Sequence, residues 1–166
     1  MRAFLLGLLA GVILVPLLIF CYLRLGYAPV ATAAPPLPLE KNVVSMALRA
    51  RLSKEAPHDV PIPVTDENLM EGAKLYRQQC DGCHGLTNGA KTALAQGMYP
   101  PPPELLQGKG VTDDPPGETF WKVKNGIRLT GMPAFAPSLS DTEIWQISLL
   151  LAHADKLPPN VAASLR

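Results

Sequence analysis

An all-α fold is predicted for this chain of 166 residues. Apolar residues recur at helical spacing in several segments, and Thr65 and Ser140 are well placed to cap two of the helices. Only 6% of the residues are aromatic, which argues against a sheet-rich sandwich. The 18 prolines are clustered, and they therefore predict linkers and an extended loop. The length suits one compact domain with appendages.

Residues 1–25 predict a transmembrane anchor or a signal segment. The stretch from Ala3 to Leu23 carries no charge, and as a helix it would be ~31 Å long, about the thickness of a bilayer's hydrocarbon core. Signal peptides usually have a shorter apolar region, although Ala31-Thr32-Ala33 resembles a cleavage site. We expect an uncleaved single-pass helix in the cytoplasmic (inner) membrane. Arg2 would stay in the cytoplasm and the remaining chain would lie on the periplasmic or extracytoplasmic side.

Residues 26–64 predict a proline-rich linker with a short amphipathic helix over residues 40–54. Prolines near its start favour extended geometry. In the helical part, Val44, Ala47, Leu48 and Leu52 recur near helical spacing. We expect this helix to pack on the domain that follows, 65–166, or on a partner subunit.

The spacing of Cys80, Cys83 and His84 indicates covalent attachment of haem. Cys-x-x-Cys-His is the attachment signature of c-type haem. The two thiols can each add to one vinyl group of the porphyrin, and the adjacent imidazole can supply the proximal ligand of the iron. The alternatives are a redox-active dithiol and half of a zinc site. The dithiol would need a surrounding βαβ pattern and zinc a second ligand pair, and the sequence offers neither.

Met132 is the predicted sixth ligand of the iron. It lies between Gly131 and Pro133, in a turn far beyond the attachment motif. Its soft thioether would favour ferrous iron and raise the reduction potential. The alternatives are that Met132 only fills a gap in the core, or that Met98 or His153 ligates the iron instead. Pro100 to Pro103 should form an extended strap, and one of its carbonyls is a candidate acceptor for the distal N–H of His84.

From about Thr65 to the C-terminus, the chain resembles a monohaem class I cytochrome c domain. The resemblance rests on three stretches: Gly72-Ala73-Lys74-Leu75-Tyr76, Cys80-Asp81-Gly82-Cys83-His84-Gly85 and Gly131-Met132-Pro133-Ala134-Phe135. It implies a small helical haem fold and one covalently attached haem c. It further implies that Cys80 and Cys83 form the thioethers and that His84 and Met132 are the axial ligands.

In residues 65–166, capping residues and helix-breaking residues predict where the helices begin and end. Thr65 should cap a helix that runs to about Gln79, and Gly126 should end a helix over residues 118–125. Ser140 and Glu143 form a capping box for a last helix from Asp141 to about Lys156. Gly72 and Tyr76 lie on one face of the first helix, where we expect a close crossing to which Trp145 contributes.

The net charge limits the classes of partner that can be expected. The formal net charge is +1, and without Arg2 and Arg24, which flank the apolar segment, the remainder has a net charge of −1. A nucleic-acid partner would require a strongly basic face, so we expect none. Lys122, Lys124 and Arg128 could form a basic rim that steers an acidic redox partner, or simply a solvated surface.

The sequence therefore predicts an electron carrier rather than an enzyme. Two strong axial ligands leave no open position for a substrate. We expect outer-sphere electron transfer between membrane-bound respiratory complexes, with redox proteins of that electron-transport chain as partners. One alternative is the haem c subunit of a larger membrane oxidoreductase complex. A second is a haem enzyme or gas sensor from which the methionine ligand dissociates.

Overall fold

The computed structural model describes residues 1–107 and 113–166. Its described residues contain helices and no strands, which confirms the all-α prediction. The predicted domain 65–166 includes residues 108–112, which lie outside the described residues. In chain order the helices are α1 (Arg2–Arg24), α2 (Glu40–Glu55), α3 (Asp66–Gln79), α4 (Asp81–His84), α5 (Ala93–Gln96), α6 (Pro116–Asn125), α7 (Asp141–Ala152) and α8 (Pro159–Ser164).

The chain divides into two compact units, Met1–Lys41 and Asn42–Arg166. In the first unit, α1 is long and apolar enough to cross a membrane, and none of its residues is buried. A signal sequence near the N-terminus would have the same length and composition. This helix is therefore a candidate for either role.

In the second unit, α3 and α7 make the most extensive helix contact. Thr65 caps α3 as predicted, because its hydroxyl accepts a hydrogen bond from the Asn68 amide at 3.2 Å. Gly72 lies at the crossing, where a Cβ would collide with the carbonyl oxygen of Gln146 and would come within 3.2 Å of the Leu150 Cβ. The predicted close approach is therefore present, with Gln146 and Leu150 on the opposite side.

The core extends from this crossing to α6. Its fully buried side chains include Tyr76, Ile144, Ile147, Leu149 and Leu150. Trp145, which we expected at the Gly72 crossing, stacks on Phe120 of α6 with ring centroids 4.2 Å apart. Position 145 follows 144 by about 100° around the helix, which directs the indole to the neighbouring helix.

The C-terminal end differs from the prediction. Helix α7 begins with the predicted capping box of Ser140 and Glu143, but it ends at Ala152 rather than near Lys156. At this end the amides of His153 and Ala154 donate to the carbonyls of Leu150 and Leu151, three residues back, so the helix closes in a tighter turn. The sequence analysis did not predict α8. This helix starts with Pro159 at its first position, packs on α3 and buries Val161 and Leu165 nearby.

Helix α2 is one residue longer than predicted, and its last turns pack within the second unit. Leu52 is buried, whereas Val44 is exposed. The Trp121 indole N–H donates to the Glu55 carboxylate at 3.1 Å. Gly117 lies directly against the backbone of Pro57, so that even a methyl side chain would collide there. The end of α2 is thus attached to α6.

Candidate haem site

The attachment motif occupies a single turn of helix. Cys80 ends α3 and precedes α4, and the amides of Cys83 and His84 both donate to its carbonyl, at 3.1 and 2.9 Å. Side chains at positions i, i+3 and i+4 share one face of a helical turn. The fold therefore brings the two thiols and the imidazole together. Cys80 is buried, and Cys83 and His84 are half-buried.

Gly85 ends this turn. It has φ 76°, a left-handed conformation that glycine adopts without steric cost. Its carbonyl accepts a hydrogen bond from the Tyr76 hydroxyl at 2.8 Å. Burial is the main reason why the pKa of Tyr76 is raised well above its usual value, so this phenol stays protonated and remains a donor. The bond joins the last turn of α3 to the end of the attachment motif.

The imidazole of His84 is held by the proline strap. Its Nδ1 lies 2.7 Å from the carbonyl oxygen of Pro103. A carbonyl only accepts hydrogen bonds, so Nδ1 carries the proton and the lone pair of Nε2 stays free. Burial lowers the pKa of His84, although the Pro103 bond opposes that shift, and the ring is neutral at pH 7. The predicted bond to the strap is confirmed, and Pro103 is the acceptor.

The surroundings of the two thiols do not favour a redox-active dithiol. The described residues contain no disulfide, and both cysteines are free. Burial first, and then the nearby Asp81 and Cys83, raise the pKa of Cys80 to about 12. A redox-active dithiol needs a thiol whose pKa is lowered. Within the described ranges, moreover, no group of three or more His, Cys, Asp or Glu side chains could hold a metal ion.

Met132 lies on a loop that is fastened to the end of α6. Its carbonyl accepts from the Ile127 amide at 3.2 Å, and its own amide donates to the Thr130 hydroxyl at 3.1 Å. Gly126, with φ 67°, fits so closely against Pro133 that a Cβ would lie 2.7 Å from the Pro133 carbonyl carbon. The Met132 side chain is half-buried and packs on the core.

The two rival ligands lie in different surroundings. Met98 is half-buried beside Gly131, so it adjoins the loop that carries Met132. His153 caps the end of α7, where its Nδ1 lies 2.8 Å from the Leu149 carbonyl oxygen. A histidine is favourable at a helix C-terminus for this reason alone. That Met132, rather than Met98 or His153, is the sixth ligand remains a prediction.

The lysines of the predicted basic rim have carboxylate partners. Lys122 pairs with Asp114 and lies 3.8 Å from Glu118, and Lys124 pairs with Asp141 at 2.7 Å. Their charges are therefore largely compensated. A solvated helix face describes these two lysines better than a rim that attracts an acidic partner.

The residues present fit a covalently held haem. They provide two free thiols on one turn, a neutral imidazole with one ring nitrogen fixed and the other free, and a thioether on a loop that packs on the core. Sequence reasoning did not identify the Tyr76–Gly85 bond. The only signal for it was the helical spacing that placed Tyr76 on the face of α3 shared with Gly72.

The family described as "Cytochrome C oxidase, cbb3-type, subunit III" matches residues 67–150, which include Cys80, Cys83, His84 and Met132. No curated protein sequence matches the chain. Among solved structures, the chain is similar to one from the "Kuenenia stuttgartiensis reducing HAO-like protein complex", at 24% identity and a TM-score of 0.48. That match covers 62% of this chain and 53% of the other, so this chain spans about half the length of that protein.

Proposed function

The chain belongs to the family described as cytochrome c oxidase, cbb3-type, subunit III, and on this premise we propose that it is a single-haem, membrane-anchored electron carrier. A cytochrome c domain with covalently bound haem c implies electron transfer. The finer proposal is outer-sphere transfer between membrane-bound respiratory complexes. Its domain would be residues 65–166, joined by residues 26–64 to an anchor within residues 1–25.

In this proposal four side chains hold the cofactor. Cys80 and Cys83 would form the two thioethers that hold the porphyrin, and His84 and Met132 would ligate the iron. When bound, haem c supplies a one-electron ferric/ferrous couple. Because both axial ligands are strong, the site has no place for a substrate, and the chain acts as a carrier rather than an enzyme.

The observation that carries the proposal is the 2.7 Å contact between His84 Nδ1 and the Pro103 carbonyl. Histidines that ligate a metal almost always donate their other ring N–H to a carbonyl, a carboxylate or water. The acceptor here belongs to a proline. Proline has no backbone N–H that could donate to Nδ1 and so favour the other tautomer of the ring. This arrangement presents Nε2 as the ligating atom and fixes the plane of the ring.

The other residues would tune the reduction potential. The thioether of Met132 stabilises ferrous iron. Apolar side chains that pack on the same core as Met132, including Phe135 and Leu86, would exclude water and disfavour the additional charge of the ferric form. Both effects raise the potential, which suits an acceptor of electrons from a quinol-oxidising complex.

The location proposed is the cytoplasmic membrane, with the haem domain on the periplasmic side. Helix α1 has the length and apolar composition of a single span, and Arg2 is its first residue. The proline-rich stretch before α2, residues 26–39, would act as a tether that lets the domain reach donor and acceptor in turn at high effective concentration. No nucleic acid is proposed as a partner.

The second candidate is a haem subunit of a larger oxidoreductase complex. The family takes its description from an oxidase subunit, which supports this alternative. Purification in mild detergent separates the two, because a subunit copurifies with stoichiometric partner chains and a free carrier does not. A haem enzyme or sensor is the third candidate, and binding of carbon monoxide to the reduced protein at neutral pH would favour it.

The test is the optical spectrum of the full chain, matured with haem, compared with its Met132→Ala variant. We expect the variant to lose the sulfur-to-ferric-iron absorption band and to have a lower potential. Met70→Ala is the matched control, because Met70 is also a half-buried methionine that packs on the core. This control should keep the band. If Met132→Ala keeps it as well, Met132 is not the ligand, and the proposal that His84 and Met132 ligate the iron fails.

A further inference from the structure

The end of the Met98 side chain contacts the loop that carries Met132. An ideal Cβ at Gly131 would lie 3.0 Å from the Met98 Sδ, 3.2 Å from its Cε and 3.6 Å from its Cγ. The tip of the Met98 side chain therefore packs against Gly131, the residue directly before Met132. Gly131 is not among the glycines with a positive φ, so its backbone conformation does not require glycine, and the missing side chain leaves room for the tip of Met98.

The same segment also contacts His84. Met98 follows α5, and the strap that continues from it reaches Pro103, whose carbonyl receives the His84 bond. A stretch of six residues, 98–103, thus contacts one predicted axial ligand directly and the backbone beside the other. Four of these six residues are prolines, which fix φ and leave the strap little conformational freedom. The proline strap therefore restricts the backbone on the C-terminal side of Met98.

The Met132 loop has its own bonds on the side of α6. The described hydrogen bonds of Met132 and Thr130 lead back to Ile127 and its neighbours, and Phe135 donates to the Val123 carbonyl at 3.0 Å. At Gly131 the three atoms nearest to a Cβ position, apart from those of the adjoining residues, all belong to Met98. The packing of this thioether accordingly limits how far the loop can move at the residue before the ligand.

We propose that Met98 is a positioning residue, which packs on Gly131 and keeps Met132 within reach of the iron. This inference rests on the proposed function, because it takes Met132 as the sixth ligand. Met98 acts here through contact and volume, and its sulfur is not required. The proposal therefore differs from the alternative in which Met98 itself binds the iron.

The test is a double-mutant cycle on the full chain matured with haem, with binding of imidazole to the ferric protein as the readout. Imidazole must displace Met132, so a loop that opens more easily gives a higher apparent affinity. We expect Met98→Ala to raise this affinity about tenfold, which corresponds to ~1.4 kcal/mol. Met98→Leu preserves the volume without the sulfur, and it should keep both the sulfur-to-iron band and an affinity within about twofold of the wild type.

Gly131→Ala supplies the other arm of the cycle. In the wild type its new methyl group presses on Met98 and should raise the affinity severalfold. In the Met98→Ala background the space is vacant, so the same methyl group should have a much smaller effect or lower the affinity. Such non-additivity is expected only when the two side chains share one contact.

Additive effects of the two substitutions, or an unchanged imidazole affinity in Met98→Ala, would overturn the positioning role. Loss of the sulfur-to-iron band in Met98→Leu would make Met98 a ligand and would overturn it too. The proposed function fails separately, and only if Met132→Ala keeps the band. The two proposals can therefore be rejected independently.

Discussion

Replacing Gly72 with alanine tests the crossing of α3 and α7 on which the second unit is built. The added Cβ would collide with the carbonyl oxygen of Gln146 and would lie 2.8 Å from its carbonyl carbon. Ordinary contacts between carbon atoms are about 3.5–4.0 Å long, so the helices must separate by at least roughly half an ångström. The obstacle is backbone, and no change of rotamer can remove it.

The expected loss of stability combines two opposing terms. Overpacking of a close-packed core costs about 1–3 kcal/mol, and a collision with backbone belongs in the upper part of that range. The Gly-to-Ala change itself favours a helix by about 1 kcal/mol. We expect a net destabilisation of about 1–2 kcal/mol, which lowers the Tm of a domain of this size by roughly 4–16 °C.

The assay is thermal unfolding of the haem-loaded full chain in detergent, followed by circular dichroism and by the Soret band. Gly97→Ala is the matched control, because a Cβ there would have its nearest neighbour at an ordinary 3.6 Å. Its Tm should stay near that of the wild type. If Gly72→Ala is as stable as this control, the backbones of α3 and α7 do not meet at Gly72, and the reasoning is refuted.

Three further predictions concern single side chains. The Ser140 contacts lower the pKa of Glu143, so its carboxylate stabilises the fold above its ordinary pKa of 4.5 and loses this effect as the pH falls through the lowered value. Glu143→Gln should therefore lower the urea midpoint at pH 7, and the difference should vanish in acid. Leu129→Asn should raise the free energy of unfolding by up to about 1 kcal/mol, since Leu129 has φ 62° and is 81% exposed; a lower urea midpoint would contradict this. Trp121→Phe removes the bond to Glu55 and should cost about 0.5 kcal/mol in the same urea assay, whereas no change would mean that the bond contributes nothing measurable.

Local chemistry made much of the fold and site predictable. Thr65, Ser140 and Gly126 determine helix ends through interactions with near neighbours, and these three predictions are confirmed. Cys80, Cys83 and His84 lie on one turn because their spacing in sequence matches that of a helix. The bond from His84 to the strap was also expected, since an all-proline segment offers carbonyls without competing donors.

The features that the sequence analysis missed depend on distant parts of the chain. Trp145 stacks on Phe120 because of how α6 approaches α7, and apolar periodicity within α7 carries no information about that approach. Helix α8 is short and has weak periodicity, and its place is determined by contact with α3 and by a bond from Arg77 to the Ser164 carbonyl at 2.6 Å. The ion pairs of Lys122 and Lys124 likewise involve carboxylates from Asp114 and Asp141, which no local pattern connects with them.

The proline strap has a consequence for association between molecules. Residues 100–103 run without regular secondary structure and are mostly exposed, yet they have no amide hydrogen to offer. An extended segment at a surface normally presents both donors and acceptors, and another chain can pair with it to extend a sheet. This one can only accept. The stretch that holds His84 can thus stay open to water without becoming a template for aggregation.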